Sequence, residues 1–151
     1  MAHVRLSVKA IIIRDGRLLV IKNRDADGDW YLLPGGGQEA GETIAAALSR
    51  ECLEEIGSEV RLGQLRFVRD YIGKHHEFAL TDGDSHQVEL MFECQLVSEP
   101  KLGTQPDSMQ TGLAWLDLSA LASFRFYPAA LTSLLPGMHA SDGPVYLGDV
   151  N

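Results

Sequence analysis

Glu51, Glu54 and Glu55 are the residues of this chain whose type and spacing speak most directly of chemistry. On a helix, positions three and four apart share a face, so the three carboxylates fall on one patch. Like charges held together repel each other and raise each other's pKa. A divalent cation removes that conflict, and carboxylate oxygens are hard ligands that suit Mg²⁺ or Mn²⁺ rather than thiophilic metals. The competing reading is a solvated acidic face, because Glu is a good helix former. Just upstream, Gly35-Gly36-Gly37 opens a loop whose backbone can approach a ligand closely.

Charge points to the same segment. The 151 residues include 21 acidic side chains and 13 Lys plus Arg, a net charge of −8. Between Gly36 and Ser58, Glu39, Glu42, Glu51, Glu54 and Glu55 stand against Arg50 alone, so −4 of the −8 lies there. The acidity argues against a general nucleic-acid binder, which carries a basic stripe or patch. Concentrated in one short segment, it reads instead as a cation site.

The full spacing is Gly36, five residues, Glu42, seven residues, Arg50-Glu51, Cys52, one residue, Glu54-Glu55, one residue, Gly57-Ser58. This resembles the Nudix box, with Cys52 and Ser58 standing where aliphatic residues are usual. Trp30 and Leu33-Pro34-Gly35-Gly36 are similar to the usual lead-in. The resemblance implies an α/β/α sandwich around a mixed β-sheet, with the box at 36–58 forming a loop–helix–loop. It implies hydrolysis of a nucleoside diphosphate linked to another moiety, with Mg²⁺ (or Mn²⁺) as cofactor and a small-molecule nucleotide as partner. By it, Glu51, Glu54, Glu55 and the Gly35 carbonyl ligate the metal, and Glu42 pairs with Arg50 to orient the helix. The metal neutralises the pyrophosphate and activates a water, whose proton passes to a carboxylate: Glu54, Glu51 or, outside the box, Glu89. Two rivals share the fold: a sensor that binds nucleotide without turnover, and an isoprenoid diphosphate isomerase. The intact carboxylate set disfavours the first. The place of Cys52 on the apolar helix stripe disfavours the second.

Outside the box, Arg24, Gly36, Gly37, Gln110 and Tyr127 are candidates for substrate contact, as is Lys22. Tyr71, Phe78 and Phe126 are aromatic enough to stack on a base, although aromatics in strands are more often core. In the MutT-like branch a tryptophan is followed by Phe-x-Pro-Ala-Asn, whose Asn reads the base. Here Trp115 leads to Phe126-Tyr127-Pro128-Ala129-Ala130, which has no amide at that place. A further Glu ligand of that branch falls near Met109, with Asp107 two residues away. The proline of ADP-ribose pyrophosphatases and the tyrosine of diadenosine polyphosphate hydrolases are both missing from Ile72-Gly73-Lys74-His75-His76. His75, His76 and His86 raise zinc or phosphate contact against a plain polar loop; no cysteine accompanies them at metal-site spacing.

These groups must be held by regular elements. The length predicts one domain, residues 1–151, with a buried core. Val8 to Ile13 reads as a buried strand, and Arg14-Asp15-Gly16-Arg17 as a hairpin returning through Leu18 to Lys22. Asn23 to Asp29 reads as a loop, Trp30 to Leu33 as extended, and the glycines as a loop to Gly41. Thr43 caps a helix to Ile56 that stops at Gly57, with Ile44, Ala45, Leu48, Cys52 and Ile56 as its apolar stripe. Glu59 to Leu62, Leu65 to Tyr71, Gln87 to Val97 and Leu113 to Leu116 read as strands. Gly73 to Ser85 and Pro100 to Gly112 read as loops, Ser119 to Leu135 as helical pieces, and the tail from Gly137 as weakly patterned. Strands and helices mix without strict alternation, which predicts an α/β sandwich.

Two cysteines, Cys52 and Cys94, form no secreted disulfide framework, and the apolar runs are too short for a membrane span or signal peptide. The expectation is a cytoplasmic protein that touches neither membrane nor nucleic acid. Homodimers occur among similar proteins, which makes a homodimer one expectation, with no interface legible.

Overall fold

A computed structural model describes residues 3–103, 109–140 and 143–151. Strands β1 (Val4–Ile11), β2 (Ile13–Arg14), β3 (Arg17–Asp25), β4 (Gly28–Leu32) and β5 (Gly35–Gly37) precede helix α1 (Ile44–Ile56). Then come β6 (Val60–Ile72), the short helix α2 (Ala79–Asp82), β7 (His86–Leu96), β8 (Gln110–Asp117), β9 (Phe126–Tyr127), α3 (Leu131–Leu134) and β10 (Tyr146–Asp149). Short 3₁₀ segments lie at Gly73–His75, Leu118–Ser123 and Leu135–Ala140.

The class is α/β, but the mixed sheet is divided in two. One sheet runs β10-β6-β7-β1-β5, and the other runs β2-β3-β4-β9 with β8 also on β3. Both mix parallel and antiparallel pairs. The apolar runs Ala10-Ile11-Ile12 at the end of β1 and Leu18-Leu19-Val20-Ile21 in β3 are buried on both faces. Val8, Ala10, Ile12, Leu19 and Ile21 join Ala47, Leu48, Cys52 and Ile56 of α1 in one cluster. The alternate residues Ile11, Leu18 and Val20 join Phe67, Met91, Phe126, Leu131 and Leu135 in the other. Fully burying a side chain such as Leu48 or Ile56 contributes roughly 1.5–3 kcal/mol, which fixes the rotation of α1 about its own axis. Among the described residues, no helix is long and apolar enough to cross a membrane.

Several local expectations change. The Asn23 to Asp29 stretch is a second hairpin: β3 continues to Asp25 and pairs with Gly28, and the Asp25 side chain accepts the Asp27 N–H at 2.9 Å. Gly35–Gly37 is a strand, antiparallel to β1. β6 is continuous, with register irregularities between Leu62 and Phe67 where the sequence suggested a gap. The Gly73 to Ser85 loop carries a 3₁₀ turn and α2. Ala45 is exposed and Ala47 is buried in its place on the α1 stripe. β9 interrupts the expected helical pieces, and the weakly patterned tail adds β10 in parallel to β6.

Candidate active site

Helix α1 and strand β5 build the site. Thr43 Oγ1 accepts the Ala46 N–H at 3.1 Å, and Gly57 closes the helix in the left-handed region. With Leu48, Cys52 and Ile56 anchored in the core, Arg50, Glu51 and Glu54 fall on the outer side. β5 pairs Gly37 with Ser7, Gly36 with Val8 and Gly35 with Lys9. A Cβ on Gly36 would sit 2.6 Å from the Glu51 carboxyl carbon, so the missing side chain admits that carboxylate against the backbone. Gly35, at φ +139°, would drive a Cβ into the Val8 carbonyl.

Arg50 organises the carboxylates. Its Nε and Nη2 donate to Glu42 Oε2 and Oε1 at 2.7 and 2.9 Å, a two-point grip, and Nη2 also donates to the Gly37 carbonyl at 3.1 Å. Its Nη1 donates to Glu51 Oε1 at 3.0 Å and lies 3.6 Å from Glu54 Oε2. The Arg50 grip, assisted by the Glu39 N–H, holds the Glu42 carboxyl down to about 2. Glu42 in turn pushes the Arg50 guanidinium above its ordinary value.

Glu55 is turned the other way. It is buried, and its Oε1 accepts the Gly35 N–H at 2.9 Å. Its backbone carbonyl accepts from Gly103 N–H and from Gln110 Nε2 at 3.0 and 3.2 Å. Gln110, a candidate for substrate contact, is buried and braces the end of α1.

The expected convergence of carboxylates is incomplete: among the described residues, no three His, Cys, Asp or Glu side chains stand close enough together to hold a metal ion. Arg50 engages Glu51 and Glu54, and Gly35 engages Glu55, so the three are drawn to different partners. The donor set itself fits a hard divalent cation. It is all carboxylate, on one helix, against a glycine strand without side chains.

A cavity of about 470 Å³ is lined by Lys9 of β1, the ladder partner of Gly35. One wall is apolar and aromatic: Trp30, Leu32, Met109 and Tyr127, with Phe78 from the segment before α2. The Phe78 and Tyr127 rings meet edge to face at 5.0 Å, and Trp30 stands 6.2 and 6.4 Å from Tyr127 and Phe78. Arg125 Nε donates to the Tyr127 hydroxyl at 3.1 Å. The other wall is polar: Lys9, Arg69, Tyr71, Gln87 and Glu89. Glu89 is buried and accepts from Arg69 Nε at 2.6 Å; Arg69 also donates to the Val150 carbonyl and to Asn151 Oδ1 at 2.7 and 3.0 Å. Glu89 lies opposite Ser7, which lies opposite Gly37, so it stands two strand spacings, about 10 Å, from the box. Burial and the Asp82 acceptor both push the Tyr71 hydroxyl upward.

The remaining candidates go elsewhere. Lys22 and Arg24 both pair with Asp29, at 3.4 and 2.8 Å. Gly37 packs against the Arg5 guanidinium, and Phe126 belongs to the core. His75 Nδ1 and His76 Nε2 lie 2.7 and 2.6 Å from Asp149, and His86 Nε2 lies 2.9 Å from Asp70. The histidines thus tie their loop and β7 to the β6–β10 edge and do not form the metal cluster weighed above. Asp107 lies outside the described residues. Sequence reasoning passed over Lys9, Arg69 and Asn151. Lys9 and Arg69 are charges inside strand patterns, which was the available signal. Cys52 and Cys94 are buried and unbridged, with burial pushing the Cys94 thiol up to about 12.

A glycine strand, a helix carrying Arg-Glu and Glu-Glu, and Glu42 locking the arginine through two hydrogen bonds make a site of the Nudix class. The sequence matches the NUDIX domain profile over residues 3–135. The chain belongs to the Nudix family. It is 42% identical over 50 residues to an RNA pyrophosphohydrolase of Gluconobacter oxydans (strain 621H), covering 33% of this chain and 29% of that protein. It is 43% identical over 61 residues to a MutT-like protein of Streptomyces ambofaciens, covering 40% and 38%. These matches therefore span about a third of the length of those relatives. The crystal structure of a MutT NUDIX hydrolase from Burkholderia pseudomallei superposes with a TM-score of 0.62 at 30% identity, covering 78% of this chain and 85% of that one.

Proposed function

We propose that this protein is a Mg²⁺-dependent hydrolase of the pyrophosphate bond in a nucleoside diphosphate linked to another moiety. The observation that carries the reading is the carboxylate face of α1, with Glu51 against Gly36 of β5 and Arg50 locked by Glu42. Glu51, Glu54, Glu55 and the Gly35 carbonyl would hold the metal, with Mn²⁺ as a substitute. When bound, the metal neutralises pyrophosphate charge and lowers the pKa of a coordinated water.

The rest falls to side chains. Water attacks phosphorus, the P–O bond of the bridging oxygen breaks, and a carboxylate takes the water's proton. Glu89 is buried and engaged by Arg69, whereas Glu54 retains 32% side-chain exposure and only the longer 3.6 Å contact with Arg50. Glu54 is therefore our choice of base over Glu51 and Glu89. Glu42 holds Arg50, which sets the position of Glu51 and of the Gly37 carbonyl. The aromatic wall, Tyr127 included, takes a planar base. Ala130 opens α3 without an amide, which sets this chain apart from the oxidised-purine readers. Burial of Cys52 disfavours the isomerase reading.

The test is a panel of nucleoside triphosphates, nucleotide sugars, ADP-ribose and dinucleotide polyphosphates, with Mg²⁺ and with chelator, products resolved by chromatography. Hydrolysis yields two phosphate-bearing fragments, or a monophosphate and pyrophosphate, only with metal. A panel left intact overturns the proposal and leaves the sensor reading.

A further inference from the structure

We infer that Lys9 is the cavity's phosphate-binding residue, contacting the anionic oxygens of the nucleotide whose base faces the aromatic wall. The inference rests on the nucleotide reading above and adds to it a residue outside the box.

Arg5 lies against Gly37 outside the cavity lining, and the other cations discussed above are engaged by carboxylates. Lys22 and Arg24 pair with Asp29, Arg50 with Glu42 and Glu51, Arg69 with Glu89, and Arg125 with Asp25. Lys9 lines the cavity, is half-buried, and has no carboxylate within ion-pair distance among the described residues. A lysine present only for its stem normally carries its ammonium out to water. Here the strand register directs it inward. Lys9 sits opposite Gly35, and its Cδ lies 3.0 Å from where a Gly35 Cβ would be. The Gly35 N–H in turn holds Glu55.

The chemistry then follows from charge. An anionic substrate approaches a chain of net charge −8 whose box segment alone carries −4. A metal on α1 meets the phosphates at the scissile bond. A half-buried lysine with no carboxylate partner among the described residues gains from an anionic ligand, and a phosphate oxygen in the cavity supplies one.

The experiment measures binding without turnover. Calorimetry in chelator compares each of the four ribonucleoside 5′-monophosphates with its nucleoside, for the wild type, Lys9→Gln, Lys9→Arg and, at an exposed position outside the cavity, Arg17→Gln. The wild type should bind at least one monophosphate more tightly than its nucleoside. Lys9→Gln should reduce that preference roughly tenfold, Lys9→Arg should retain part of it, and Arg17→Gln should leave it unchanged. Thermal midpoints confirm that each variant is folded. An unchanged preference in folded Lys9→Gln, an equal loss in Arg17→Gln, or no phosphate preference in the wild type overturns the inference. Because no hydrolysis is read, failure of the hydrolase proposal is seen separately, in the substrate panel.

Discussion

Arg50 grips Glu42 through two parallel hydrogen bonds, Nε to Oε2 at 2.7 Å and Nη2 to Oε1 at 2.9 Å. The remaining nitrogen reaches Glu51, so the loop before α1 and the carboxylates on it are set by one side chain. A lysine cannot make the fork. Arg50→Lys should lower kcat by roughly 10- to 100-fold, the range for losing a partner that orients metal ligands. Steady-state kinetics at saturating Mg²⁺ checks this; unchanged kcat would remove Arg50 from the positioning role.

The same pair predicts an acid response. The Glu42 carboxyl is held down to about 2, so its charged form is favoured in the folded chain. A depressed carboxylate contributes stability that is present above its ordinary pKa, near 4.3, and is lost as pH falls toward the folded value. The thermal midpoint should be insensitive to this pair above about pH 5 and should decline below it. Glu42→Gln should flatten that decline, read as midpoint against pH; an unaltered slope would count against the lock.

Much of this was readable from the residues. The box helix, its cap at Thr43 and its stop at Gly57 follow local rules, and the β2–β3 hairpin follows from Asp15-Gly16, both at positive φ. What was not readable depends on distant partners. Gly35–Gly37 looks like a loop because glycine has low strand propensity, yet β1 supplies the ladder. Gln110 looks like an available amide until α1 places the Glu55 carbonyl over it. β10 shows little pattern because its hold on β6 comes through the Ile72 N–H to Asp149 and Tyr146 to Asp70, with His75 and His76 of the next turn also on Asp149. The Arg69–Glu89 pair arises from a β6–β7 register that joins residues 20 apart in sequence.

Glu54→Gln and Glu55→Gln should each abolish metal-dependent hydrolysis without unfolding the chain. Glutamine keeps an oxygen to accept the Gly35 N–H at Glu55, so the fold contact survives while an anionic donor is lost. Hydrolysis assays beside circular dichroism melts separate the two effects. Near-normal turnover in either variant would sink the ligand assignment.

Asp149 pins the β6–β10 edge. Burial would raise its carboxyl, but the contacts from His76 and His75 and the Ile72 N–H outweigh it and hold it well below the usual range. Stability from Asp149 is therefore present above about pH 4 and is lost as acid titrates it. Asp149→Asn should cost about 1–3 kcal/mol and speed amide exchange across Tyr146 to Val150. Exchange unchanged from the wild type would show that β10 is held by other means.

Gly35 and Gly36 are neighbours with different constraints, and alanine at each should fail differently. At Gly35 the backbone sits at φ +139° and the new Cβ meets the Val8 carbonyl, which is fixed in the β1 ladder. Neither can relax cheaply, so Gly35→Ala should destabilise the protein by roughly 2–3 kcal/mol or more. At Gly36 the Cβ would meet only the far end of Glu51, 2.6 Å away, and a side chain can swing aside. Gly36→Ala should therefore leave the melting midpoint within a few degrees of the wild type. Displacing Glu51 should still cost roughly tenfold or more in kcat, because it moves one donor of the proposed metal site out of place. Paired melts and kinetics on the two variants test this division. A Gly36→Ala enzyme with full activity would show that the Glu51 carboxylate need not lie against the glycine strand.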